Sequence, residues 1–595
     1  MQIIALVSIA NIVQPGAQFA YDVECYVGLE RNLGFQQRVE IADSLLVEHG
    51  IKISAGEISV LNEKFLNHLK YIHVISAERI RTLIARNGGY SMHIDATTES
   101  GRGTLLVIYD YWLGIVLGAW KIPSENKETI SECIKKTIKL FGEPKYIMRD
   151  LSKTIRQAIE DVVKDLITKP VELECQYHLE CDIGKDILKL SNDQLCTQLR
   201  TINLREDLRA LITETRRTAD RKEAALFVNL FYSEIPIINI PKELCSVMLT
   251  ITIARWILDY SHDSESKFPF DNMYYNFFLR CKDAVNFTTS LIEQEKISTD
   301  EKVKASLSRL LNLLTSFVTH EGVLKAIAHM EEAIAIFGEL RLLLREEEIA
   351  IEKVVGQGVN ANEYSSFLTR EQISSLSEIE STSKERIAHY ESEIKARIDL
   401  NSTSETAKRA YGIIAAHLKT HGKYAYGRII EVEPAGCKDN EKKYMFAART
   451  NNCVESLWGE IKGGERRRTG FSNLGKTFDE INSGIPLVKN LCNEQYLEAI
   501  VGGSLDNLPK LFAKADREIA ETVQSEKNMN EEKENDDSFF DVGYEKTAIY
   551  IGKPFVRNKE LTCLFKKLLP QQQEGEPVIQ VNSKRLEKAL LNTQC

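Results

Sequence analysis

Apolar side chains recur every three to four positions in two stretches between residues 36 and 73. Ile41, Leu45 and Leu46 fall on one helical face that stops at His49-Gly50, and Ile58, Leu61, Phe65 and Leu69 fall on a second. Ser54 opens the second stretch with Glu57 three residues on, the spacing at which hydroxyl and carboxylate satisfy each other's backbone amides at a helix start. A helix, a glycine turn and a capped helix predict a helix-turn-helix at 36–73, with a plain αα-hairpin as the alternative. From residue 89 the period shortens. Runs 90–95, 103–110 and 114–121 are β-branched and aromatic with glycine between them, and predict three antiparallel strands. Ile130, Ile134, Ile138 and Phe141 then mark a helix closed by Gly142 and Pro144, followed by strand 145–150, helix 153–164 and strand 171–175.

The order βββαβαβ is that of an RNase H-like mixed sheet. Beyond residue 180 the pattern is helical almost to 420, with Leu310, Leu314, Phe317, Ile336, Phe337, Leu340 and Leu344 on apolar faces. Strand-like 424–432 and 444–449 lead into a further helix. The expected chain is therefore multidomain, α/β plus all-α: a helical region 1–88, a first sheet segment 89–182, an all-α insertion 183–422 and a second sheet segment with a helical tail at 423–522. An acidic linker at 523–539 and a small module at 540–595 complete it.

At 595 residues and 43% apolar composition the chain has material for several cores. Its net charge of −10 is unevenly spread. Residues 521–538 hold seven acidic and two basic side chains, whereas 442–470 holds seven basic and three acidic, so a local basic surface coexists with an acidic total. Twelve cysteines without a C-x-x-C pair exclude a disulfide framework and fit a reducing, cytoplasmic setting. The apolar run Ile3 to Val13 is too short to span a bilayer, which takes about 20 residues, so no membrane partner is expected.

Three carboxylates stand out. Asp95 ends the run Met92-His93-Ile94, Asp150 ends Tyr146-Ile147-Met148-Arg149, and Glu455 lies near a helix start after Thr450-Asn451-Asn452-Cys453-Val454. In the predicted sheet the first two strands are neighbours, which brings both aspartates to one edge. Asp110 competes for the first position, although a hairpin turn explains it, and Glu460 and Glu465 compete with Glu455 as surface salt-bridging residues. Lys462 follows Glu455 by two helical turns on the same face, and Arg466, Arg467 and Arg468 follow one to two turns later. A second basic stretch comprises Arg200, Arg205, Arg209, Arg216, Arg217 and Arg221. Cys175 and His178 form C-x-x-H, which Cys181 extends. Three soft ligands in seven residues fall short of the four that a structural zinc site needs.

The run from Asn451 through Glu455 to Lys462 resembles the N-x-x-E-x-x-x-x-x-x-K helix of DDE transposases from bacterial insertion sequences. Cys175-x-x-His178 is similar to the C-x-x-H that follows the second aspartate in hAT, Mutator-like and related transposases with a helical insertion. The resemblance covers most of residues 20–515. It implies that Asp95, Asp150 and Glu455 are catalytic and bind two Mg²⁺ (or Mn²⁺) ions for phosphodiester cleavage and strand transfer. It also implies double-stranded DNA as the partner, both element ends and target, and a homodimer or larger synaptic complex. His178 would lie near the scissile strand without ligating zinc, Lys462 and the three arginines would meet phosphate, and Asn62 and Lys64 of the second helix would reach base edges. A metal-dependent nuclease without strand transfer and a domesticated DNA-binding protein are the alternatives. The Cys-rich zinc-binding module common in this group is not seen before Tyr21.

Overall fold

The computed structural model describes residues 12–14, 16–218, 242–260, 267–293, 301–356, 367–436 and 442–530. The expected module at 540–595 and Arg221 lie outside them.

Among the described residues four helices come first: α1 (Tyr21–Asn32), α2 (Arg38–His49), α3 (Ala55–Ile75) and α4 (Ala77–Arg86). Helix α2 stops because Gly50 turns left-handed at φ 67, where a side chain would be strained. Helix α3 starts on the expected box: Ser54 Oγ accepts from the Glu57 amide at 3.2 Å and Glu57 Oε2 from the Ser54 amide at 2.8 Å. Ile41, Leu45, Ile58 and Leu61 form one small core with Val23 and Val27 of α1. Leu46, expected on that face, is 51% exposed, because it lies about 100° round the helix from Leu45. The last half of α3 belongs to the main core, where Phe65, Leu66, Leu69 and Ile72 pack with the sheet residues.

Five strands form one sheet: β1 (Ser91–Glu99), β2 (Arg102–Asp110), β3 (Ile115–Ile122), β4 (Tyr146–Arg149) and β5 (Val171–Glu174), in the order β3-β2-β1-β4-β5. Strand β1 is antiparallel to β2 and parallel to β4, and β4 is parallel to β5. Helices α5 (Lys127–Phe141) and α6 (Lys153–Val163) make the crossovers and send Ile130, Ile134, Ile155 and Ile159 into the main core. The free edge of β3 is covered by a side chain imitating a strand: Asn490 accepts from the Val116 amide at 2.7 Å and donates to its carbonyl at 2.8 Å. Strand β1 runs four residues past the expected end, so Asp95 lies within a strand and not at its tip. Its parallel ladder with β4 does stop there, at Ile94 opposite Arg149.

Helix α7 (Gln176–Ile202) leaves β5 directly as one 27-residue helix, so no break falls at the boundary expected near 182. Among the described residues seven more follow: α8 (Leu204–Thr218), α9 (Lys242–Leu258), α10 (Met273–Glu293), α11 (Glu301–Val318), α12 (Glu321–Val355), α13 (Arg370–Asp399) and α14 (Glu405–His421). Among the described residues, 185–400 contain no strand. Two apolar cores hold these helices, one around Phe277 and Phe317, the other around Phe337 and Tyr411. The chain returns through an antiparallel pair, β6 (Ile429–Val432) and β7 (Lys443–Phe446), which packs on Trp112, Tyr146, Met148 and Leu173. Helix α15 (Asn452–Thr469), short turns between 475 and 507, and α16 (Leu508–Asn530) follow. Helix α16 continues eight residues into the segment expected to be linker. None of the described helices is long and apolar enough to cross a membrane.

A buried ion cluster ties α16 to the first helices. His68 Nδ1 lies 2.6 Å from Glu24 Oε1 and its Nε2 2.9 Å from Asp516 Oδ1, while Tyr21 donates to Asp516 Oδ2 at 2.7 Å. Burial alone would push the imidazolium pKa down, but the bonds to Asp516 and Glu24 prevail and lift it to about 9. A group whose folded pKa lies above its unfolded value stabilises the fold below the unfolded pKa and stops doing so as pH rises through the folded one. Urea-unfolding midpoints are therefore expected to fall between about pH 6.5 and 9 by the equivalent of roughly 3 kcal/mol. In His68→Gln this fall should vanish. An unchanged pH profile in that variant would show that the cluster is not the cause.

Candidate active site

The site is built where the parallel ladder between β1 and β4 ends. Ile94 pairs with Arg149, so the next residues, Asp95 within β1 and Asp150 just past the end of β4, follow the last pair of the ladder on adjacent strands. Asp95 is 8% exposed, its Oδ2 accepts from the Trp458 indole N–H at 2.9 Å and its Oδ1 from the Ala96 amide at 2.9 Å. Asp150 Oδ1 accepts from the Ser152 amide at 2.9 Å. Trp458 lies one turn beyond Glu455, so the bond that anchors Asp95 also sets α15 against the sheet with Glu455 on the near face.

Burial and the charges of Asp150 and Glu455 drive the Asp95 pKa up to about 7, against the bonds from Trp458 and Ala96. Burial also raises Asp150, opposed by the Ser152 amide and the charges of His178 and Arg149. Carboxylates crowded in this way favour a cation among them. The donor set fits one: oxygen ligands suit Mg²⁺ or Mn²⁺, each bonded carboxylate oxygen keeps a second lone pair, and Glu455 Oε1 is buried without a hydrogen-bond partner. Glu125, in the exposed turn before α5, is also raised, by loss of solvent and by the charge of Asp150. It is a fourth carboxylate at this mouth that the sequence pattern did not single out.

His178, on the first turn of α7, places Nε2 3.4 Å from Glu455 Oε1. Cys175 caps the same helix, buried, with its sulfur 3.2 Å from the Asn451 amide. Cys175, His178 and Glu455 are the group of metal-ligating side chains whose ligand atoms all lie within 4.8 Å of one another among the described residues. Cys181 is not part of it.

Asn451 joins these parts, and sequence reasoning quoted it only as part of a motif. It precedes α15 but caps nothing with its side chain. Instead its Oδ1 lies 3.0 Å from His93 Nδ1 and its Nδ2 donates to the Ile94 carbonyl at 3.2 Å. The Tyr146 hydroxyl, 2.9 Å from His93 Nε2, completes the relay. These bonds fix the tautomer: Nδ1–H donates to Asn451 and Nε2 accepts from Tyr146. Burial keeps His93 neutral, with its pKa lowered to about 3 against the Asn451 bond. The only signals for Asn451 and Trp458 were their spacings from Glu455, four residues before and three after.

The competing carboxylates lie elsewhere. Asp110 is fully buried and accepts from the Ser91 amide, the Ser91 hydroxyl and the Trp112 amide, pinning the β2–β3 turn to the start of β1. Ser91 is four residues from Asp95, about 13 Å along the strand. Glu460 pairs with Lys489 at 2.7 Å on the surface, while Glu465 is buried against Arg468 and not on the surface.

The basic residues divide. Lys462 donates to the Thr98 carbonyl at 3.0 Å and lies 3.4 Å from Glu99, which also pairs with Arg466 at 3.1 Å. Arg467 is exposed. Arg468 points inward, pairs with Glu465 and donates to the Arg31 carbonyl and to Asn32 Oδ1, so it holds the fold together and offers no surface charge. Asn62 accepts from Asn32 at 2.7 Å and Lys64 donates to Gln14 at 3.1 Å, which places both in internal contacts and not on an open helix face. In the second basic stretch Arg205 donates to the Tyr260 hydroxyl and Arg209 pairs with Glu206. No protein-family model and no curated protein matches the chain.

Proposed function

We propose that the chain is a DDE-type DNA transposase with an RNase H-like core, a polynucleotidyl transferase in which Asp95, Asp150 and Glu455 hold two Mg²⁺ or Mn²⁺ ions. The observation that carries this reading is that three carboxylates from distant sequence come near enough for the charges of Asp150 and Glu455 to raise the Asp95 pKa, although their oxygens do not all lie within 4.8 Å of one another. Asp95 and Asp150 end one parallel ladder, and the helix of Glu455, 305 positions after Asp150, is bonded to Asp95 through Trp458. When bound, such ions supply an activated oxygen nucleophile and neutralise charge on the leaving oxygen of a phosphodiester. The chain's own groups hold the carboxylates still: the Trp458 indole and Ala96 amide on Asp95, the Ser152 amide on Asp150, and the Asn451 bridge under α15. Arg466 and Arg467, on the last turn of α15, are the phosphate contacts, and base reading falls to the exposed start of α3 around Ser59 and not to Asn62 or Lys64. A homodimer or larger assembly follows from the need to join two ends.

The test uses the full chain, Mg²⁺, duplexes made from the DNA flanking its gene, searched for inverted repeats and given pre-cut 3′ hydroxyls, and a supercoiled plasmid. Joined products are expected. Cleavage without joining would make the protein a nuclease, and binding without either a domesticated DNA-binding protein. On the same duplex, Arg466→Ala with Arg467→Ala should weaken binding to every sequence and lower its salt dependence by up to about two charges. A parental slope would remove α15 from the DNA path.

A further inference from the structure

The tightest ligand cluster lies beside the carboxylate pair and has different chemistry. We infer that Cys175 Sγ, His178 and Glu455 form a site for a single soft divalent cation, Zn²⁺ by the nature of its donors, which shares Glu455 with the hard-ion site assigned to Asp95, Asp150 and Glu455. Thiolate and imidazole select zinc over magnesium, which takes oxygen ligands. The geometry is close to what such an ion requires. Bonds of about 2.0–2.3 Å place tetrahedral ligand atoms about 3.3–3.8 Å apart. His178 Nε2 and Glu455 Oε1 are already 3.4 Å apart, and the whole set lies within 4.8 Å, so closing it takes movements of about 1 Å or less.

Two further observations support an ion there. The first is unspent polarity: Glu455 Oε1 is buried without a hydrogen-bond partner, although the His178 ring lies against it at 3.4 Å. Native interiors seldom leave such atoms unmet. The second is the surrounding of the sulfur. Cys175 is the N-cap residue of α7, and its buried Sγ accepts from the Asn451 amide at 3.2 Å, which holds the sulfur in place beside His178 and Glu455. Binding would send the thiol proton to solvent and leave thiolate on the metal. His178 and Glu455 are 30% and 37% exposed, which leaves a path inward and a fourth position open to water. Occupancy would engage Glu455 away from Asp95 and Asp150, so zinc is expected to oppose the magnesium-dependent reaction. That consequence alone rests on the function proposed above, whereas metal binding does not.

The experiment titrates the metal-free full chain with Co²⁺, a spectroscopic stand-in for Zn²⁺, and needs no DNA. A thiolate-to-cobalt absorption band saturating at one equivalent is expected, displaced by Zn²⁺ and not by a large excess of Mg²⁺. Cys175→Ser should abolish the band, Cys453→Ser should keep it, and His178→Gln and Glu455→Gln should each weaken binding at least about tenfold. Absence of the band, or its survival in Cys175→Ser, would overturn the proposal. If the serine variant does not fold, the two glutamine variants decide, and parental affinity in both would equally overturn it. A failed strand-transfer assay with an intact cobalt band would reject the transposase reading and leave this site standing.

Discussion

Asp95→Asn, Asp150→Asn and Glu455→Gln are each expected to lower Mg²⁺-dependent cleavage of element-end DNA by a factor on the order of 10²–10³ or more, while end binding and folding persist. Each amide keeps the shape of the acid and removes one charge from the proposed metal clamp. The stability readout should move in the opposite sense to activity. Asp95 is held up near pH 7 by burial and by its two carboxylate neighbours, so removing a charge relieves repulsion, and the unfolding midpoint of Asp95→Asn should match or exceed that of the parent. Asp110→Asn provides the contrast. Its carboxylate accepts from Ser91 and Trp112 in the core, and its replacement should cost stability without a specific loss of chemistry. Full cleavage by Asp95→Asn together with an inactive, well-folded Asp110→Asn would exchange the two roles.

Asn451→Ala should have the largest effect on stability of any change near the site that removes no charge. The amide pairs simultaneously with the His93 ring and the Ile94 carbonyl, both buried. Truncation leaves the Ile94 carbonyl without this donor and the His93 Nδ1–H with only the Cys453 sulfur at 3.4 Å, at about 1–3 kcal/mol each. A net loss of about 2–4 kcal/mol is expected, read as a lower urea midpoint by tryptophan fluorescence. Cleavage should fall as well, because the start of α15 loses its tie to β1 and Glu455 moves with it. A shift within about 0.5 kcal/mol, the range of an ordinary surface substitution, would show that Trp458 alone holds the helix.

The strands and crossover helices were legible because periodicity, glycine punctuation and β-branched runs agree along 89–175. Every element there ends within a few residues of its expected limit. Asp95 was found for a reason that needed correction: β1 does not end at it, and only the parallel ladder does. The placement of Asn451 and Trp458 was not legible, since an asparagine before a helix reads as a cap and a helical tryptophan reads as core. Both act through contacts more than 350 positions away, which no local pattern encodes. The arginine run misled for the same reason. Three consecutive basic residues on a helix span 200° of its circumference, so one of them, Arg468, had to turn inward. Leu46 failed in the opposite direction, because a face drawn from three leucine and isoleucine positions was wider than the surface available to cover it.

The helical region between β5 and β6 also sets the order in which the ribosome can deliver this site. Once residue 175 has emerged, the whole five-stranded sheet has its sequence and Asp95 and Asp150 can stand side by side. Asn451, Trp458 and Glu455 are about 280 residues behind, which at roughly 5–20 residues per second is a delay of about 14–56 s. During that interval the nascent chain displays a half-built acidic pocket with neither the indole on Asp95 nor the third carboxylate. Chains cut short anywhere within the helices stay in that state permanently. On the function proposed above, the site stays incomplete until residue 458 of 595 has been made.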